Sequence, residues 1–479
     1  MERLFGTDGV RGLANADLTP ELALALGRAA VGVLRAEGPG PGPTAGSRGP
    51  GGAGGRDRPA VVVGRDPRAS GTLLESALVA GILSAGGDVL AAGVVPTPAV
   101  AFLTRHFGAA AGAVISASHN AMPDNGIKFF GPEGFKLPDA VEERIEAALG
   151  AADQGAPRPV GAGVGGLHRT AAEAVEAYLA HLLDGAPDLG GLQVVVDCAN
   201  GAATAAAPAA YRRAGADVTA VAAEPNGHNI NAGVGSTHPE HVQEAVVRTG
   251  ATVGLAHDGD ADRVLAVDER GELVDGDVIL AVAALDERER GELPTGTVVT
   301  TVMTNLGFRL AMAEHGIQVL QTAVGDRYVL EAMLAGGHTL GGEQSGHVIF
   351  LDRATTGDGL LTGLRLLSIM ARTGRPLSEL ATVMRRLPQV LVNVRVDDRR
   401  GLEAAAAVWR AVQAEEARLG DRGRVLVRPS GTEPVVRVMV EAETEQAARA
   451  TADRLATVVA AELGGGAPVD GRHGSPEAG

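Results

Sequence analysis

The stretch that decides the fold is "PAVVVGRDPRASGTLLESALVAGILSAGGDVLAAG", residues 59–93. It begins with a short, fully apolar and β-branched run, as expected for a strand that is buried on both faces. A polar turn, a helix-length segment rich in Ala and Leu, a Gly-rich stop and a second apolar run follow. This order predicts a strand, a crossover helix and a second strand parallel to the first.

Two more segments, 192–222 and 296–323, repeat the same order, at a spacing of about one unit per hundred residues. They predict three related α/β domains, with the turns after the parallel strands gathered at one edge of each sheet. In residues 390–463 the strand-like runs alternate apolar and polar residues. Alternation indicates an antiparallel sheet with one wet face, so we expect a smaller C-terminal α+β domain.

Composition limits the classes of function. The 479 residues carry a net charge of −16, which argues against a general nucleic-acid or membrane-surface binder. A single cysteine, Cys198, excludes an internal disulfide and fits a reducing compartment. The N-terminus has no apolar signal core and no long stretch lacks charge or proline, so we expect a cytoplasmic protein.

Two segments, 37–59 and 464–479, consist mostly of Gly, Pro and other small residues. They cannot bury enough apolar surface to offset the entropy of ordering. We expect a flexible insertion and a disordered tail, neither of which carries chemistry.

Three carboxylates follow an apolar run in "AHDGDADRVLAV", residues 256–267. Asp258, Asp260 and Asp262 alternate, so in an extended chain they share one face and converge. A solvated acidic turn is the plain alternative, but a buried strand rarely ends in three unpartnered carboxylates. The spacing therefore favours a divalent cation, with Mg²⁺ as the best candidate.

An EF-hand loop that starts at Asp258 is a sharper alternative, because Glu269 falls at its twelfth position. Its sixth position, however, is Arg263 where glycine is needed, and a strand-like run follows. We therefore prefer a magnesium site, which leaves coordination positions open for phosphate oxygens.

The stretch "ISASHNAMPDNGIKFF", residues 115–130, predicts a strand, a polar turn and an Asn-Gly turn that enters a second strand. Ser118 on such a turn would be exposed and mobile enough to act as a nucleophile or to carry a phosphoryl group. It does not lie in the G-x-S-x-G context of a hydrolase serine. Beside the three aspartates, a phosphorylated serine opposite Mg²⁺ becomes a coherent hypothesis.

Two other motifs offer groups for ligand binding. "RPSGTEPVVRV", residues 428–438, combines two arginines, two hydroxyls and a turn, which is typical of an anion site but also of a plain turn. "GGEQSGHVIF", residues 341–350, places Glu343, Ser345 and His347 at alternate positions before a strand. These side chains could bind sugar hydroxyls or an amine, although such residues more often make hydrogen bonds only within their own loop.

Taken together, the motifs resemble those of the bacterial phosphoglucosamine mutases, a family of the α-D-phosphohexomutase superfamily. The resemblance covers nearly the whole chain except the two low-complexity segments, and the motifs occur in the family's order. The motifs that carry it are "GTDGVRG" (6–12), "GRDPRASG" (64–71), "SASHN" with "DNGIKFF", "NINAGVGSTHPE" (229–240), "DGDADR", "TVMTNLGF" (301–308), "VGDRYV" (324–329), "GGEQSGH" and "RPSGTEP".

The resemblance implies the roles of the site residues. Ser118, and not Ser116, matches the phosphorylated serine. The ligands implied for one Mg²⁺ are Ser118 as phosphoserine, Asp258, Asp260 and Asp262. The residues implied to be catalytic are Arg11, Ser118, His119, Lys128 and Arg263. The residues implied to bind the substrate are Glu343, Ser345 and His347 at the sugar and Arg428, Ser430, Gly431, Thr432 and Arg437 at the non-transferring phosphate.

The resemblance also implies a four-domain α/β architecture of three related domains with mixed sheets and a smaller α+β domain, with the active-site cleft at their junction. The boundaries we expect are 1–165 (with 37–59 as the insertion), 166–269, 270–387 and 388–463, followed by the tail 464–479.

The implied reaction converts glucosamine 6-phosphate into glucosamine 1-phosphate through glucosamine 1,6-bisphosphate. The product would feed UDP-N-acetylglucosamine and cell-wall synthesis. The partner would be a small sugar phosphate, neither nucleic acid nor membrane, and a homodimer is compatible with this interpretation. A phosphoglucomutase or phosphomannomutase, a Mg²⁺-dependent sugar phosphatase and a non-catalytic sugar-phosphate binding protein stay open as alternatives.

Two points stay open within this interpretation. Lys128 is the best candidate for the general acid or base, with His347 as the other. The family usually has proline after "SASHN", whereas this chain has Ala121. Loss of a fixed φ should loosen the loop without removing a reacting group.

Overall fold

The computed structural model describes residues 3–6, 8–37, 58–151, 158–430, 434–464 and 469–470. Most of the predicted insertion 37–59 and of the predicted tail 464–479 lies outside these residues. The chain forms two compact units. Unit 1 contains Met1–Val299 and Asp326–Ala381, and unit 2 contains Thr300–Gly325 and Thr382–Gly479. None of the described helices is long and apolar enough to span a membrane.

The first domain is a mixed six-stranded sheet with helices. Its elements are β1 (Val10–Leu13), α1 (Pro20–Glu37), β2 (Ala60–Arg65), α2 (Ala69–Ser84), β3 (Asp88–Val94), α3 (Thr97–His106), β4 (Ala111–Ile115), β5 (Asp124–Phe130), α4 (Asp139–Ala151) and β6 (Leu167–Arg169). The strand order is β1-β5-β4-β2-β3-β6. β2 is parallel to β3, which confirms the unit predicted at residues 59–93, whereas β5 is antiparallel to β4 and to β1.

The predicted Asn-Gly turn before β5 is wrong, because Asn125 and Gly126 lie inside the strand. Gly126 pairs with Arg11 of β1. A Cβ at Gly126 would lie 2.6 Å from the carbonyl oxygen of Ser116, so glycine is needed there for close approach and not for a turn. The connection between β4 and β5 is the loop 116–123.

The second domain is a mixed five-stranded sheet with helices. Its elements are α5 (Ala171–Leu183), β7 (Gln193–Asp197), α6 (Ala203–Arg213), β8 (Asp217–Val221), α7 (Glu240–Thr249), β9 (Val253–His257), β10 (Val264–Val267) and β11 (Leu273–Val274). The order is β11-β10-β9-β7-β8, with β7 parallel to β8 and β9 and with β10 antiparallel to β9 and β11. The unit predicted at residues 192–222 is confirmed.

The third domain contains a four-stranded sheet. Its elements are α8 (Gly276–Glu289), β12 (Thr297–Thr301), α9 (Leu306–Glu314), β13 (Gln318–Thr322), α10 (Asp326–Gly336), β14 (Leu340–Gly342), β15 (Val348–Phe350), α11 (Gly359–Thr373) and α12 (Leu377–Leu380). The order is β13-β12-β14-β15, with β12 parallel to β14 and β14 antiparallel to β15. The helix α11 begins at a side-chain cap, because Asp358 accepts the N–H of Leu361.

The C-terminal domain has an antiparallel sheet in the order β17-β18-β16-β19. Its elements are β16 (Gln389–Arg395), α13 (Ala406–Leu419), β17 (Arg424–Pro429), β18 (Val435–Glu441), α14 (Glu445–Leu463) and β19 (Val469–Asp470). Burial alternates along β16, as predicted for a sheet with one wet face. α13 begins at Ala406, after a 3₁₀ turn that the Asp398 side chain caps. β19 falls within the predicted disordered tail.

Candidate active site

Ser118 lies in the loop 116–123 after β4, and its backbone is left-handed with φ of 50°. This conformation costs a non-glycine residue about 1 kcal/mol or more. The residue is only 1% exposed, so the expectation of an exposed serine is wrong. Gly259 explains the burial, since a Cβ there would lie 2.5 Å from the Ser118 carbonyl oxygen. Glycine lets the turn after β9 touch the serine loop.

Hydrogen bonds fix the polar atoms of Ser118. Its N–H donates to Ser116 Oγ over 3.0 Å, and its hydroxyl donates to Asp258 Oδ2 over 2.6 Å. The Nδ1 atom of His119 lies 3.3 Å from the same hydroxyl oxygen. The structure therefore brings the serine of one domain against the first aspartate of the next.

Asp258, Asp260 and Asp262 are buried, and they offer ligand atoms that lie within 4.8 Å of one another. They converge through a turn between β9 and β10, in which Ala261 is left-handed with φ of 60°. The carboxylates were expected to converge by alternation along an extended chain, and this explanation is wrong. The strands on both sides of the turn also exclude the helix–loop–helix frame of an EF-hand.

These carboxylates suit a divalent cation. Among the described residues, the buried Oδ1 atoms of Asp260 and Asp262 have no hydrogen-bond partner. Burial, with repulsion from Asp262 and Asp260, raises the pKa of Asp258 well above its usual range. Burial and Asp260 likewise raise the pKa of Asp262. A hard cation such as Mg²⁺ takes oxygen ligands and would relieve this repulsion.

Lys128 on β5 is a buried cation that lies against the triad. Its Nζ atom lies 3.2 Å from Asp260 Oδ2 and 3.9 Å from Asp262 Oδ2. Burial acts to lower the pKa of Lys128, but Asp260, Asp8 and Asp262 outweigh it and raise the pKa. Arg263 also lies near the triad, with Nε 3.8 Å from Asp262 Oδ1. The site therefore balances buried carboxylates with buried cations.

His119 and Arg11 complete the predicted catalytic set. Burial, followed by the charges of Arg263 and Arg11, lowers the pKa of His119 to about 3, so its imidazole is neutral at neutral pH. Arg11 on β1 donates through Nη2 to Asp8 Oδ2 over 2.6 Å. That contact holds the guanidinium next to the strand that carries Lys128.

A second charged group in the region was missed at the level of sequence. Lys136 Nζ donates to Asp8 Oδ1 over 2.6 Å and to Asp326 Oδ2 over 2.5 Å. The Nε2 atom of His347 lies 3.5 Å from that Asp326 oxygen. Two signals were available: Lys128 and Lys136 are the only lysines in the chain, and Asp326 belongs to the motif "VGDRYV".

The motif "GGEQSGH" forms the turn between β14 and β15 and not an alternating strand. Ser345 Oγ and both ring nitrogens of His347 are buried and lack a hydrogen-bond partner among the described residues. The turn packs on the strand after Arg263, because Val264 N–H donates to the Gly346 carbonyl over 3.1 Å. Glu343 is one of the carboxylates that raise the pKa of Arg263 against the effect of burial.

The motif "RPSGTEP" lies in unit 2. Arg428 of β17 and Arg437 of β18 are direct cross-strand partners, and burial with the charge of Arg437 lowers the pKa of Arg428. The carbonyl oxygen of Ser430 accepts a hydrogen bond from Arg399 over 2.7 Å. Two like charges that face each other in a sheet favour an anion between them. Gly431 and Thr432 lie outside the described residues.

Comparison with known families covers most of the chain. Residues 2–156, 176–271 and 275–387 match α/β/α domains I, II and III of the phosphoglucomutase/phosphomannomutase family, and residues 391–458 match its C-terminal domain.

Curated relatives identify a branch of this family to which the chain is similar in sequence. The chain is 59% identical to the phosphoglucosamine mutase of Rhodococcus opacus over 462 residues, which cover 96% of this chain and 100% of the relative. It is 57% identical to that of Moorella thermoacetica over 442 residues, which cover 92% and 95%. The chain belongs to the phosphoglucosamine mutase family. Membership confirms the resemblance and the predicted phosphohexomutase fold class, while the four exact domain boundaries stay predictions.

Solved structures show the same fold. A phosphoglucomutase/phosphomannomutase family protein from Burkholderia thailandensis aligns with a TM-score of 0.78 at 24% identity, covering 98% of this chain and 99% of that one. N-acetylphosphoglucosamine mutase from Aspergillus fumigatus, solved with GlcNAc-6P and magnesium, aligns with a TM-score of 0.58 at 20% identity and covers 77% and 92%.

Proposed function

We propose that this chain interconverts glucosamine 6-phosphate and glucosamine 1-phosphate through phosphorylated Ser118 and a glucosamine 1,6-bisphosphate intermediate. The observation that carries the proposal is the buried Ser118 hydroxyl, 2.6 Å from Asp258, in a chain 59% identical to a phosphoglucosamine mutase. A bound cation would balance the charge of the carboxylates beside the Ser118 hydroxyl, and it would also balance a phosphoryl group carried on that hydroxyl.

The reaction consists of two phosphoryl transfers. In the first, the free hydroxyl oxygen of the sugar phosphate attacks phosphorus, the bond from phosphorus to Ser118 Oγ breaks, and the hydroxyl proton ends on Oγ. The bisphosphate then turns end for end in the site. In the second, Ser118 Oγ attacks the other phosphorus atom, and its proton passes to the departing sugar oxygen.

Charge neutralisation is the main task of the protein in such transfers. Asp258, Asp260 and Asp262, with the phosphoserine, would hold one Mg²⁺, which supplies positive charge for the transferring phosphoryl group. Lys128 adds a further cation at the triad, because its raised pKa keeps it protonated, and it is our first candidate for the general acid or base. His347 is the alternative proton carrier.

Substrate binding divides between two motifs in this proposal. The turn with Glu343, Ser345 and His347 reads the hydroxyl and amino groups of the sugar. The loop with Arg428, Ser430, Gly431, Thr432 and Arg437 takes the phosphate that is not being transferred. Because the bisphosphate reverses, either phosphate must fit the same anion site, which explains why that site lies far in sequence from Ser118.

The cellular setting follows from the reaction. A cytoplasmic enzyme of this kind would supply glucosamine 1-phosphate for UDP-N-acetylglucosamine and cell-wall precursors. A homodimer is compatible with this proposal, and the net charge of −16 argues against nucleic acids and membranes as partners.

Activity measurements test the proposal. Purified protein with Mg²⁺ and catalytic glucosamine 1,6-bisphosphate should convert glucosamine 6-phosphate with a higher kcat/KM than glucose 6-phosphate. Higher kcat/KM on glucose or mannose phosphates would instead support a phosphoglucomutase or phosphomannomutase. Release of free phosphate that persists in Ser118→Ala would support a phosphatase, and Ser76→Ala, an exposed position on α2, serves as the matched control.

A further inference from the structure

Arg68 is a fully buried arginine with a guanidinium turned toward the serine loop. Its Nη2 donates to the carbonyl oxygens of Ser118 and Asn120 over 3.0 and 2.8 Å, and its Nη1 donates to that of Ala121 over 2.5 Å. One side chain thus holds three of the loop's backbone carbonyls. A buried arginine is rare unless hydrogen-bond acceptors surround its guanidinium N–H groups.

Asp66 fixes the position of this guanidinium. It accepts hydrogen bonds from Arg68 Nε and from the Arg68 backbone N–H, both over 2.9 Å. The same carboxylate accepts the Ser116 hydroxyl over 2.5 Å, and Ser116 Oγ in turn accepts the N–H of Ser118. The carboxylate therefore orients Arg68 and Ser116, two of the groups that hold the Ser118 backbone.

A second contact comes from the next domain. Asn231, in the motif "NINAGVGSTHPE", donates through Nδ2 to the carbonyl oxygens of Ser118 and Asn120 over 2.9 and 3.0 Å. Asn231 is 8% exposed and is itself left-handed, with φ of 57°. The Ser118 carbonyl therefore receives donors from two domains that approach it from different parts of the sequence.

Resting on the proposed function, we propose that Arg68 and Asn231 are positioning residues that hold the loop 116–123 while Ser118 changes between a hydroxyl and a phosphate ester. Neither residue needs to touch the substrate. Their five N–H···O=C contacts, to three carbonyls, keep Ser118 in its left-handed conformation and its Oγ against the aspartate turn.

The change of charge makes this restraint necessary. Each catalytic cycle adds about two negative charges to Ser118 and removes them again, beside three carboxylates. A loop free to relax would withdraw the serine when it is charged. A misplacement of about 1 Å costs roughly 100-fold in rate, so the clamp should act mainly on kcat.

The experiment uses the full chain with Arg68→Lys and Asn231→Ala. Lysine keeps the charge but cannot reach three carbonyls in the fixed geometry of a guanidinium. We expect kcat to fall about 10- to 100-fold with KM changed less than about 3-fold. We also expect faster hydrogen exchange of the backbone in residues 116–123, and Arg68→Lys should retain more activity than Arg68→Gln.

Matched controls separate positioning from general stability. Arg65→Lys changes the neighbouring arginine, which contacts Glu75 and the Asp66 carbonyl but not the loop. Asn229→Ala changes the other asparagine of the same motif. The Asn229 side chain accepts the Asn226 N–H and donates to the Glu224 carbonyl oxygen. Both should keep kcat, and their exchange in 116–123 should match that of the wild type.

The outcomes are distinct. Exchange in 116–123 and kcat that are both unchanged in Arg68→Lys and Asn231→Ala overturn the inference, as does faster exchange with unchanged kcat. A loss of kcat in Arg68→Lys or Asn231→Ala also overturns it if a control variant with an equal fall in melting temperature loses kcat to the same extent. A wild-type protein without mutase activity contradicts the proposed function instead, while the exchange measurement still reports whether the clamp holds the loop.

Discussion

At the scale of single residues, the site places buried carboxylates next to one another and next to buried cations. Asp260 shows this balance: its Oδ2 atom accepts from Thr97 over 2.7 Å and lies 3.2 Å from Lys128, while its buried Oδ1 atom has no partner among the described residues. An unpaired buried carboxylate oxygen is costly unless a cation completes its environment.

Asp260→Asn should weaken binding of Mg²⁺ by more than about 10-fold, because it removes a charged ligand from the triad. Isothermal titration calorimetry with MgCl₂ measures this without reference to activity. Asp217→Asn changes an exposed aspartate at the start of β8 and should leave binding unchanged. Equal Mg²⁺ affinity in wild type and Asp260→Asn would show that the triad does not hold the metal.

The sequence predicted the residues whose spacing is local. The triad could be found because Asp258, Asp260 and Asp262 are close in the chain. Arg68 and Lys136 could not be assigned, because their partners lie 53 and 190 residues away and only the fold brings them together. Arg68 lies in the quoted motif "GRDPRASG", and Asp326, the partner of Lys136, lies in "VGDRYV". These motifs carry no information about which carbonyl or carboxylate each side chain reaches.

At the scale of elements, the serine loop joins two strands that were predicted correctly as strands. The loop itself was predicted less well, since Asn-Gly was interpreted as a turn and Ser118 as exposed. A residue pattern predicts that a loop exists, but its burial depends on the turn of another domain that covers it. Here Gly259 and Asn231 supply that cover.

Ala121→Pro tests how firmly the loop is held. No hydrogen bond from the Ala121 N–H is found within the described part of the chain, while its carbonyl accepts from Arg68 and from the N–H of Asp124. Proline should therefore fit, and should raise the free energy of unfolding by about 0.4–1 kcal/mol with activity retained. Chemical denaturation measures the change. A loss of stability would mean that the loop does not have the φ that proline requires.

Glu287 on α8 gives a prediction about pH. Burial, followed by repulsion from Asp352, raises the pKa of Glu287 from 4.5 to about 7 in the folded protein. The unfolded chain releases this proton near pH 4.5, so the stabilising contribution is full below that pH and is lost as pH rises toward 7. The loss amounts to roughly 3 kcal/mol at a pKa difference of this size.

Glu287→Gln removes that titration. Relative to the variant, the wild type should lose stability between pH 4.5 and 7, measured as the difference in the free energy of unfolding across the range. Glu289→Gln, an exposed neighbour on the same helix, should keep the wild-type dependence. A difference between wild type and Glu287→Gln that does not vary with pH would contradict the prediction.

At the scale of the whole molecule, the order of elements was predicted and the division into units was not. Unit 2 combines residues 300–325 with the C-terminal part of the chain. Within it, Arg424 binds Glu441 over 3.0 Å and the carbonyl oxygens of Val302 and Thr304 over 2.9 and 3.0 Å. Contacts that span more than a hundred residues leave no periodic pattern in the sequence.

Arg424→Met should destabilise unit 2 selectively. It removes the cation that hydrogen-bonds to the fully buried Glu441, a loss that costs about 3–5 kcal/mol in buried pairs. Hydrogen exchange should become faster in residues 300–325 and 382–464 and stay unchanged in unit 1. Arg422→Met removes an exposed ion pair nearby and should have little effect. Equal acceleration throughout the chain would indicate one cooperative unit instead.

The central claim is that Ser118 carries the phosphoryl group. Mass spectrometry of the peptide that contains Ser118, after incubation with Mg²⁺ and glucosamine 1,6-bisphosphate, tests it most directly. We predict a gain of about 80 Da located on Ser118 that disappears when glucosamine 6-phosphate removes the phosphoryl group. A protein that isomerises glucosamine 6-phosphate with this gain on another residue, or that stays active as Ser118→Ala, would contradict the account.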